Sequence, residues 1–384
     1  MKERKNFGSW RNKILLSSLV LFTFFIFSGN SCKKVKPREK IKSSAYWTSP
    51  VMNIEQAKKL AQHDVLIIDM ENMINNRPVL ELLKTLNPEI ELLAYTNPME
   101  FFFPSIRNRP IQSKWLSQAM SYPGWFLKTG EGEQAVFWRK MIMMNMSSAC
   151  PKYEVEINGK KVQMNYSEWI AHKTLSEVLL DSIWKGYFMD NSGANISWVY
   201  ENKPFQFDIN NDGRANSAIE IDNAWYAGVR TFLMTIRNQR GKDFIMVGNK
   251  GSVEYMDILD GKFFEDWPND YLGSKENKGW NQSMENAMKM EAFGKKYIFF
   301  QMKPPTDFQY TLASSLLLDN VYVVVGQDND MISPLLKANL GPPLGPFGKE
   351  GDIYYRDYKN ARIIVRPSNN SARIQIFNQN LVQK

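Results

Sequence analysis

Short apolar runs alternate with helical stretches along most of the chain. Each run is rich in β-branched or aromatic residues, and most end in polar ones. The eight runs are Ala45–Thr48, Val65–Met70, Glu91–Asn97, Tyr187–Asp190, Phe244–Asn249, Lys262–Glu265, Tyr297–Gln301 and Val321–Val325. Continuous apolar runs of this length are typical of strands buried on both faces of a parallel sheet.

The segments between the runs have helical periodicity. It is clearest in Asp222–Gln239, which Gly241 follows. Its apolar stripe consists of Trp225, Val229, Phe232, Leu233 and Ile236. Eight strand-helix units close naturally into an α/β fold, the (β/α)₈ TIM barrel, here over residues 45–335. A doubly wound open sheet is the alternative, but no Gly-rich phosphate loop follows the first strand.

Two segments interrupt the alternation. Residues 125–148 contain strand-like pieces and predict a β-rich insertion after strand three; the pieces are Trp125–Lys128, Ala135–Trp138 and Met141–Asn145. Beyond the barrel, three further short strands are predicted at Ile353–Tyr355, Arg362–Val365 and Arg373–Ile376. Residues 336–384 are therefore expected to form a small C-terminal β extension packed on the barrel.

The first residues of the chain predict export. Basic residues precede an unbroken apolar run, Ile14–Phe27, and small residues then lead to Cys32. This pattern predicts a lipoprotein-type signal peptide at 1–31, lipidation of Cys32 and a basic tether at 32–44. The expected location is the cell envelope, lipid-anchored on its periplasmic or outer surface. Ordinary secretion and an uncleaved anchor are the alternatives.

The positive charge of the chain lies almost entirely in this N-terminal part. The formal net charge is +8, but residues 1–31 contribute five Lys/Arg and one Glu, and residues 33–42 contribute six and one. The body from Ser43 onward is left with about −1. Nucleic acid is therefore not an expected partner.

Histidine and cysteine are scarce, which limits the chemistry. His63 and His172 have no partner at ligand or nucleophile-motif spacing, so zinc sites and Ser-His-Asp triads are disfavoured. Lipidation of Cys32 would leave Cys150 without a disulfide partner.

Acidic residues follow several of the predicted strands, where the working residues of such barrels lie. These carboxylates are Asp69, Glu71, Glu100, Asp190, Glu265 and Asp266. Asp190 and Glu265 each end a hydrophobic run and are the candidate catalytic residues. Hydrolysis of a glycosidic bond needs such a pair, one as acid and one as nucleophile or base. Helix caps or ion-pair partners are the alternative.

Aromatic and amide side chains near the same strand ends suit a sugar, because its flat C–H faces stack on rings and its hydroxyls hydrogen-bond amides. The candidate substrate-binding residues are Tyr46, Asn97, Asn191, Trp198, Asn249, Trp267 and Gln301. Core packing is the alternative for each Trp.

One loop has half of a calcium-binding pattern. Asp208, Asn210 and Asp212 supply oxygen atoms at alternate positions, and Gly213 permits the tight turn. Position twelve is Ile219 instead of an acidic residue, so an Asx-rich turn before the next helix is the alternative to Ca²⁺. No other cofactor is expected.

Several short motifs in order resemble families of barrels inferred to be glycoside hydrolases, related in plan to α-galactosaminidase and α-galactosidase barrels. The motifs are Trp-Phe-Leu-Lys-Thr (125–129), Met-Asn-Met-Ser-Ser (144–148), Gly-Tyr-Phe-Met-Asp-Asn (186–191), Asp-Ile-Asn-Asn-Asp-Gly (208–213), Val-Gly-Asn (247–249), Phe-Phe-Glu (263–265) and Leu-Gly-Pro-Pro-Leu-Gly (340–345). The resemblance implies that Asp190, ending strand four, is the nucleophile and Glu265, ending strand six, the acid/base. The expected function is hydrolysis of an oligosaccharide or polysaccharide. A non-catalytic carbohydrate-binding or adhesive surface lipoprotein is the alternative.

Overall fold

The computed structural model describes residues 41–157, 159–200, 206–265, 267–268, 279–301, 308–325 and 334–377. These residues belong to one compact unit, Arg38–Lys384. The predicted signal peptide, the lipidation site Cys32, most of the tether and Asp266 lie outside the described residues.

Eight parallel strands form a closed barrel in sequential order, which confirms the predicted TIM barrel. The strands are β1 Ser43–Trp47, β2 Val65–Asp69, β3 Glu91–Thr96, β4 Gly186–Met189, β5 Ile245–Asn249, β6 Gly261–Phe264, β7 Tyr297–Gln301 and β8 Val321–Val325. The first and last residues of each of the eight predicted runs lie within two positions of those of an observed strand. The barrel begins at Ser43, so the last two residues of the predicted tether belong to β1.

Side chains alternate between the two faces of each strand, so the barrel has two apolar layers. The inner layer fills the barrel with residues such as Ile67, Phe188, Val247, Phe263 and Phe299. The outer layer packs between strands and helices. A residue two positions after an inward-facing residue of the same strand also faces inward. This alternation determines which side chains lie at the open end of the barrel.

Helices follow most barrel strands. The helices are α1 Ile54–Leu60, α2 Asn72–Asn75, α3 Arg77–Leu86, α4 Pro110–Ala119, α5 Tyr166–Thr174, α6 Ala218–Arg240, α7 Gly279–Ala292 and α8 Phe308–Ser315. Helix α6 begins four residues before the predicted start, because Ser217 and Glu220 form a capping box there. Across the described ranges, we find no helix whose length and apolar character would let it cross a membrane.

The segment between β3 and β4 is β-rich, as predicted, but its strands differ from the prediction. Glu100–Phe102 pairs with Met141–Met143, and Tyr153–Ile157 pairs with Lys160–Met164. Lys128–Thr129 pairs instead with the distant Phe207–Asp208. The predicted strand Trp125–Lys128 is confirmed only in part, since Phe126 forms a β-bridge with Met144 and Lys128 begins a strand. The predicted strand Ala135–Trp138 is irregular chain.

The C-terminal extension is an antiparallel sheet of four strands, one more than predicted: Gly348–Glu350, Ile353–Tyr358, Ala361–Arg366 and Ser371–Ile376. The sheet is held by polar contacts to the segment that directly follows α8. Arg356 donates to the carbonyl of Leu317 at 3.1 Å and forms an ion pair with Asp319, and Tyr358 donates to the carbonyl of Leu316 at 2.7 Å. These contacts fix the sheet against the end of the barrel opposite the carboxyl ends of the strands.

Candidate active site

The carboxyl ends of the barrel strands surround an opening that we call the mouth. By strand alternation, six polar residues at or just beyond these ends face inward: Asp69, Tyr95, Asp190, Asn249, Glu265 and Gln301. Six strands that are far apart in sequence therefore deliver hydrogen-bonding groups to one place. The floor below them is aromatic, since Tyr46 contacts Tyr95, Phe188 and Phe263 with ring centroids 5.1–5.7 Å apart.

Asp190 accepts three hydrogen bonds at the end of β4. The Tyr95 hydroxyl donates to Oδ2 at 2.6 Å, and Asn249 Nδ2 donates to Oδ1 at 2.7 Å. The main-chain N–H of Asn191 donates to Oδ1 at 2.8 Å. The side chain is partly exposed, so it is both fixed in position and accessible from the mouth.

Asn249 joins Asp190 to Glu265. Its Nδ2 lies 2.7 Å from Asp190 Oδ1 and 3.3 Å from Glu265 Oε1. These two carboxylate oxygens are consequently no more than about 6 Å apart, because two atoms bound to one nitrogen cannot be farther apart than both distances together. The amide is itself fixed, since its Oδ1 accepts from the Lys250 N–H at 2.7 Å. The structure thus brings together the two predicted catalytic carboxylates.

Tyr46 and Tyr95 are neutral donors at the floor of the mouth. Burial raises the pKa of both hydroxyl groups well above the usual value, and the negative charge of Asp190 raises it further. A neutral Tyr95 keeps its proton for the hydrogen bond to Asp190. Tyr46 is hydrogen-bonded to Tyr95 in turn, so the tyrosine pair orients the carboxylate from below.

Glu100 is a third carboxylate beside the pair, and the sequence did not single it out as a site residue. It is fully buried, with 0% of its surface exposed. Asn191 Nδ2 and Asn97 Nδ2 donate to Oε2 at 3.4 and 3.2 Å, and the Trp138 N–H donates to Oε1 at 2.9 Å. Burial raises the pKa of Glu100 to about 7, and Asp190 contributes to that increase.

The buried carboxyl group of Glu100 makes stability pH-dependent. Its folded-state pKa of about 7 lies above the ordinary value of 4.5, so its favourable contribution is present below pH 4.5 and is lost as the pH rises through 7. As the pH rises from 4.5 to above 7, we expect the free energy of unfolding of the natural chain to fall by about 3 kcal/mol relative to that of Glu100→Gln, whose side chain cannot titrate. Urea unfolding at pH 4.5 and pH 8 measures the difference.

Glu285→Gln is the control for this comparison, because Glu285 is on the surface beside Lys289. Its unfolding free energy should follow that of the natural chain at both pH values. Parallel pH dependence of Glu100→Gln and the natural chain would show that Glu100 does not titrate in this range.

Asp69 and Glu71 have structural partners. Asp69 forms an ion pair with Arg109 at 2.7 Å, while burial raises its pKa and Arg109 opposes that effect. Glu71 accepts from the N–H groups of Ile111 and Gln112 at 2.9 and 2.8 Å, at the first turn of α4. The capping and ion-pair alternative therefore describes these two carboxylates, whereas the Asn249 amide joins Asp190 to Glu265.

The predicted substrate-binding residues divide into two groups. Tyr46, Asn97, Asn191, Asn249 and Gln301 lie at the mouth as partly or largely buried side chains, and Trp198 lies at its rim with 43% of its surface exposed. Trp267 does not belong to the mouth. It is 1% exposed and stacks on Phe300, with ring centroids 3.7 Å apart, in the layer outside the barrel. Its ring faces are covered by the core, which excludes the predicted stacking on a sugar.

The loop of Asp208 uses its polar side chains to bind its own backbone. Asp208 accepts from the N–H groups of Asp212 and Gly213 at 3.1 and 2.8 Å, and Asn210 donates to Asp212 at 3.1 Å. These are the contacts of the Asx-rich alternative. Within the ranges that the structure describes, no cluster of three His, Cys, Asp or Glu side chains suited to a metal occurs. Calcium at Asp208, Asn210 and Asp212 stays a prediction.

Comparison with known families decides the affiliation. A family model described as hypothetical glycosyl hydrolase family 15 matches residues 84–362, which is most of the barrel and part of the extension. The chain belongs to this family. The matched range of this family member includes Asn97, Glu100, Asp190, Asn249 and Glu265. No curated protein matches it by sequence.

Solved structures similar to this family member include glycoside-processing enzymes. Ligand-free α-N-acetylgalactosaminidase NagBb from Bifidobacterium bifidum has a TM-score of 0.50 and 8% identity over 87% of this chain and 58% of that one. A noncanonic maltogenic α-amylase, AmyB from Thermotoga neapolitana, has a TM-score of 0.46 and 8% identity over 86% of both chains. This family member thus spans little more than half of the galactosaminidase. At such identity the likeness concerns the fold alone.

Proposed function

We propose that this protein is a retaining glycoside hydrolase, with Asp190 as the nucleophile and Glu265 as the general acid/base. The observation that carries the proposal is the Asn249 amide, which donates to both carboxylates and limits their nearest bonded oxygens to about 6 Å. Retaining enzymes hold their two carboxyl groups about 5–5.5 Å apart, whereas inverting enzymes leave about 6.5–9.5 Å for a water molecule. The pair here fits direct attack by a carboxylate.

The environment of Asp190 suits a nucleophile, because three hydrogen-bond donors fix the carboxyl group in position while its side chain stays partly exposed. In the first step an Asp190 oxygen attacks the anomeric carbon. The bond from that carbon to the leaving oxygen breaks, and the Glu265 proton passes to the leaving oxygen. In the second step Glu265 takes a proton from water, the water oxygen attacks the same carbon, and Asp190 is released.

The aromatic floor and the amides define the class of substrate. Tyr46 offers an aromatic ring below the carboxylates, and Asn97, Asn191 and Gln301 offer amide groups around them. This combination suits a pyranose ring with several hydroxyl groups, since apolar faces and polar edges are both matched. We propose an oligosaccharide or polysaccharide as the substrate, and the carboxylate pair needs no cofactor for this chemistry.

A panel of aryl glycosides with different sugars and anomeric configurations tests the proposal. We expect at least one to be hydrolysed, and the first product seen by proton NMR should have the same anomeric configuration as its substrate. Formation of the opposite anomer would contradict the nucleophilic role of Asp190. Binding of glycans with no hydrolysis would favour the non-catalytic carbohydrate-binding protein instead.

We also propose that the protein is anchored in the cell envelope through a lipid on Cys32. The support is the sequence: the apolar run Ile14–Phe27 is followed by small residues and Cys32, then by a basic segment. Metabolic labelling with a fatty acid tests this, because Cys32→Ser should abolish the label. A labelled Cys32→Ser variant would contradict the assignment.

A further inference from the structure

An exposed aromatic cluster lies at the rim of the mouth. Phe137 contacts the rings of Trp138 and Trp198 at centroid distances of 5.3 and 5.4 Å. Trp138 and Trp198 are 42% and 43% exposed, while Phe137 is partly buried between them. We call these three residues the aromatic ledge. A contiguous exposed apolar patch marks an interaction site more often than a single exposed residue does.

Trp138 is connected to Asp190 by a short series of hydrogen bonds. Its main-chain N–H donates to the buried Glu100 at 2.9 Å, and Glu100 also accepts from Asn191 Nδ2 at 3.4 Å. Asn191 is the neighbour of Asp190 and donates its N–H to that carboxylate. The main chain of Trp138, which lies in the insertion between β3 and β4, is therefore held by residues that contact the proposed nucleophile.

Trp198 is connected to Asn249 by a second, separate series. Its indole N–H donates to the carbonyl of Asn195 at 3.2 Å, and Lys250 Nζ donates to the side chain of Asn195 at 3.1 Å. Lys250 directly follows Asn249, the amide that joins the two carboxylates. Asp222 fixes the same segment, because it accepts from the N–H groups of Ile196 and Ser197. Both indoles are thus positioned by the residues that position the carboxylates.

We propose that the aromatic ledge binds the part of a glycan chain that continues beyond the bond to be cleaved. Sugar rings have flat apolar faces, and two exposed indoles that each contact the same phenyl ring offer stacking surfaces for consecutive sugars. Hydrogen bonds connect the ledge to the residues of the mouth, so we expect one occupant, a glycan chain, to reach both. This inference rests on the proposed function and narrows it: the substrate is a chain of several sugars, and a single sugar with a small leaving group fills only the mouth.

Binding to chains of increasing length tests the ledge. The purified protein with Asp190→Asn, which blocks turnover, is applied to an array of glycans from one to ten sugars, and the best chain and its shorter fragments are titrated by calorimetry. We expect Kd to decrease at least about tenfold from the disaccharide to the tetrasaccharide. In this background, Trp138→Ala and Trp198→Ala should each raise the Kd for the tetrasaccharide about tenfold. Trp138→Phe should retain most of the affinity.

The control is Phe293→Ala, because Phe293 is an exposed aromatic ring that follows α7, outside the ledge. Its Kd values should equal those of the parent. Unchanged affinity in both Trp variants, an affinity independent of chain length, or no binding to any glycan would overturn the ledge. Hydrolysis assays of the natural chain distinguish failure of the ledge from failure of the proposed function. Ledge-dependent binding without hydrolysis refutes only the hydrolase. Hydrolysis with no ledge effect refutes only the ledge.

Discussion

Asp190→Asn is expected to lower kcat by at least about 10⁴-fold, the largest effect of any single substitution in this protein. The amide cannot attack the anomeric carbon, and losses of this size follow removal of a nucleophile in other enzymes. The fold should be retained, because Asn is nearly isosteric and can still accept from Tyr95 or Asn249 through its carbonyl oxygen. Initial rates on an aryl glycoside that the natural chain hydrolyses, with unfolding midpoints measured in parallel, check both expectations.

Asp257→Asn is the control for this substitution. Asp257 is exposed and pairs with Arg230 on the surface, so the same chemical change there should leave kcat unaltered. An Asp190→Asn variant that retains more than about a tenth of the natural kcat would exclude covalent attack by Asp190.

Glu265→Gln is expected to lower kcat by about 10²–10⁴-fold for substrates with poor leaving groups, because these need a proton as the bond breaks. Substrates with an activated aryl leaving group need no such proton, so their first step should be nearly unaffected. Added azide should then restore turnover, since it attacks the glycosyl-enzyme without base assistance. The product should be a glycosyl azide with the configuration of the substrate, which NMR identifies.

Glu285→Gln supplies the comparison, since Glu285 is an exposed partner of Lys289 on α7. Its kinetics should match those of the natural chain, with no acceleration by azide. If Glu265→Gln loses activity equally on all leaving groups and azide has no effect, Glu265 has another role.

The strands and the carboxylate pair were predictable because both depend on local patterns. Buried strands appear as continuous apolar runs, and a carboxylate that ends such a run is delivered to the mouth by the direction of the strand. Asp190 and Glu265 each lie directly after the last residue of a strand, so the alternation of side chains still governs them.

The orientation of the Trp267 side chain could not be predicted in the same way. Trp267 lies three residues beyond the end of β6, where the chain no longer follows the alternation of a strand. The ring packs on Phe300 and Phe264, residues of the outer layer, because a large apolar side chain gains more from burial than from exposure at the rim.

Glu100 could not be assigned a role from the sequence because its role depends on distant contacts. Its partners Trp138 and Asn191 are 38 and 91 positions away along the chain. The same holds for the pairing of Lys128–Thr129 with Phe207–Asp208, which no local pattern announces. The aromatic ledge likewise forms only when the insertion meets the segment that follows β4.

Trapping of the glycosyl-enzyme identifies the side chain that attacks the anomeric carbon. The natural chain is incubated with a panel of 2-deoxy-2-fluoro glycosides that have activated leaving groups, and peptides are then mapped by mass spectrometry. We expect one covalently bound sugar, attached to Asp190. A sugar attached to Glu265 or to any other side chain, or hydrolysis that proceeds with no covalent sugar on the protein, would contradict this expectation.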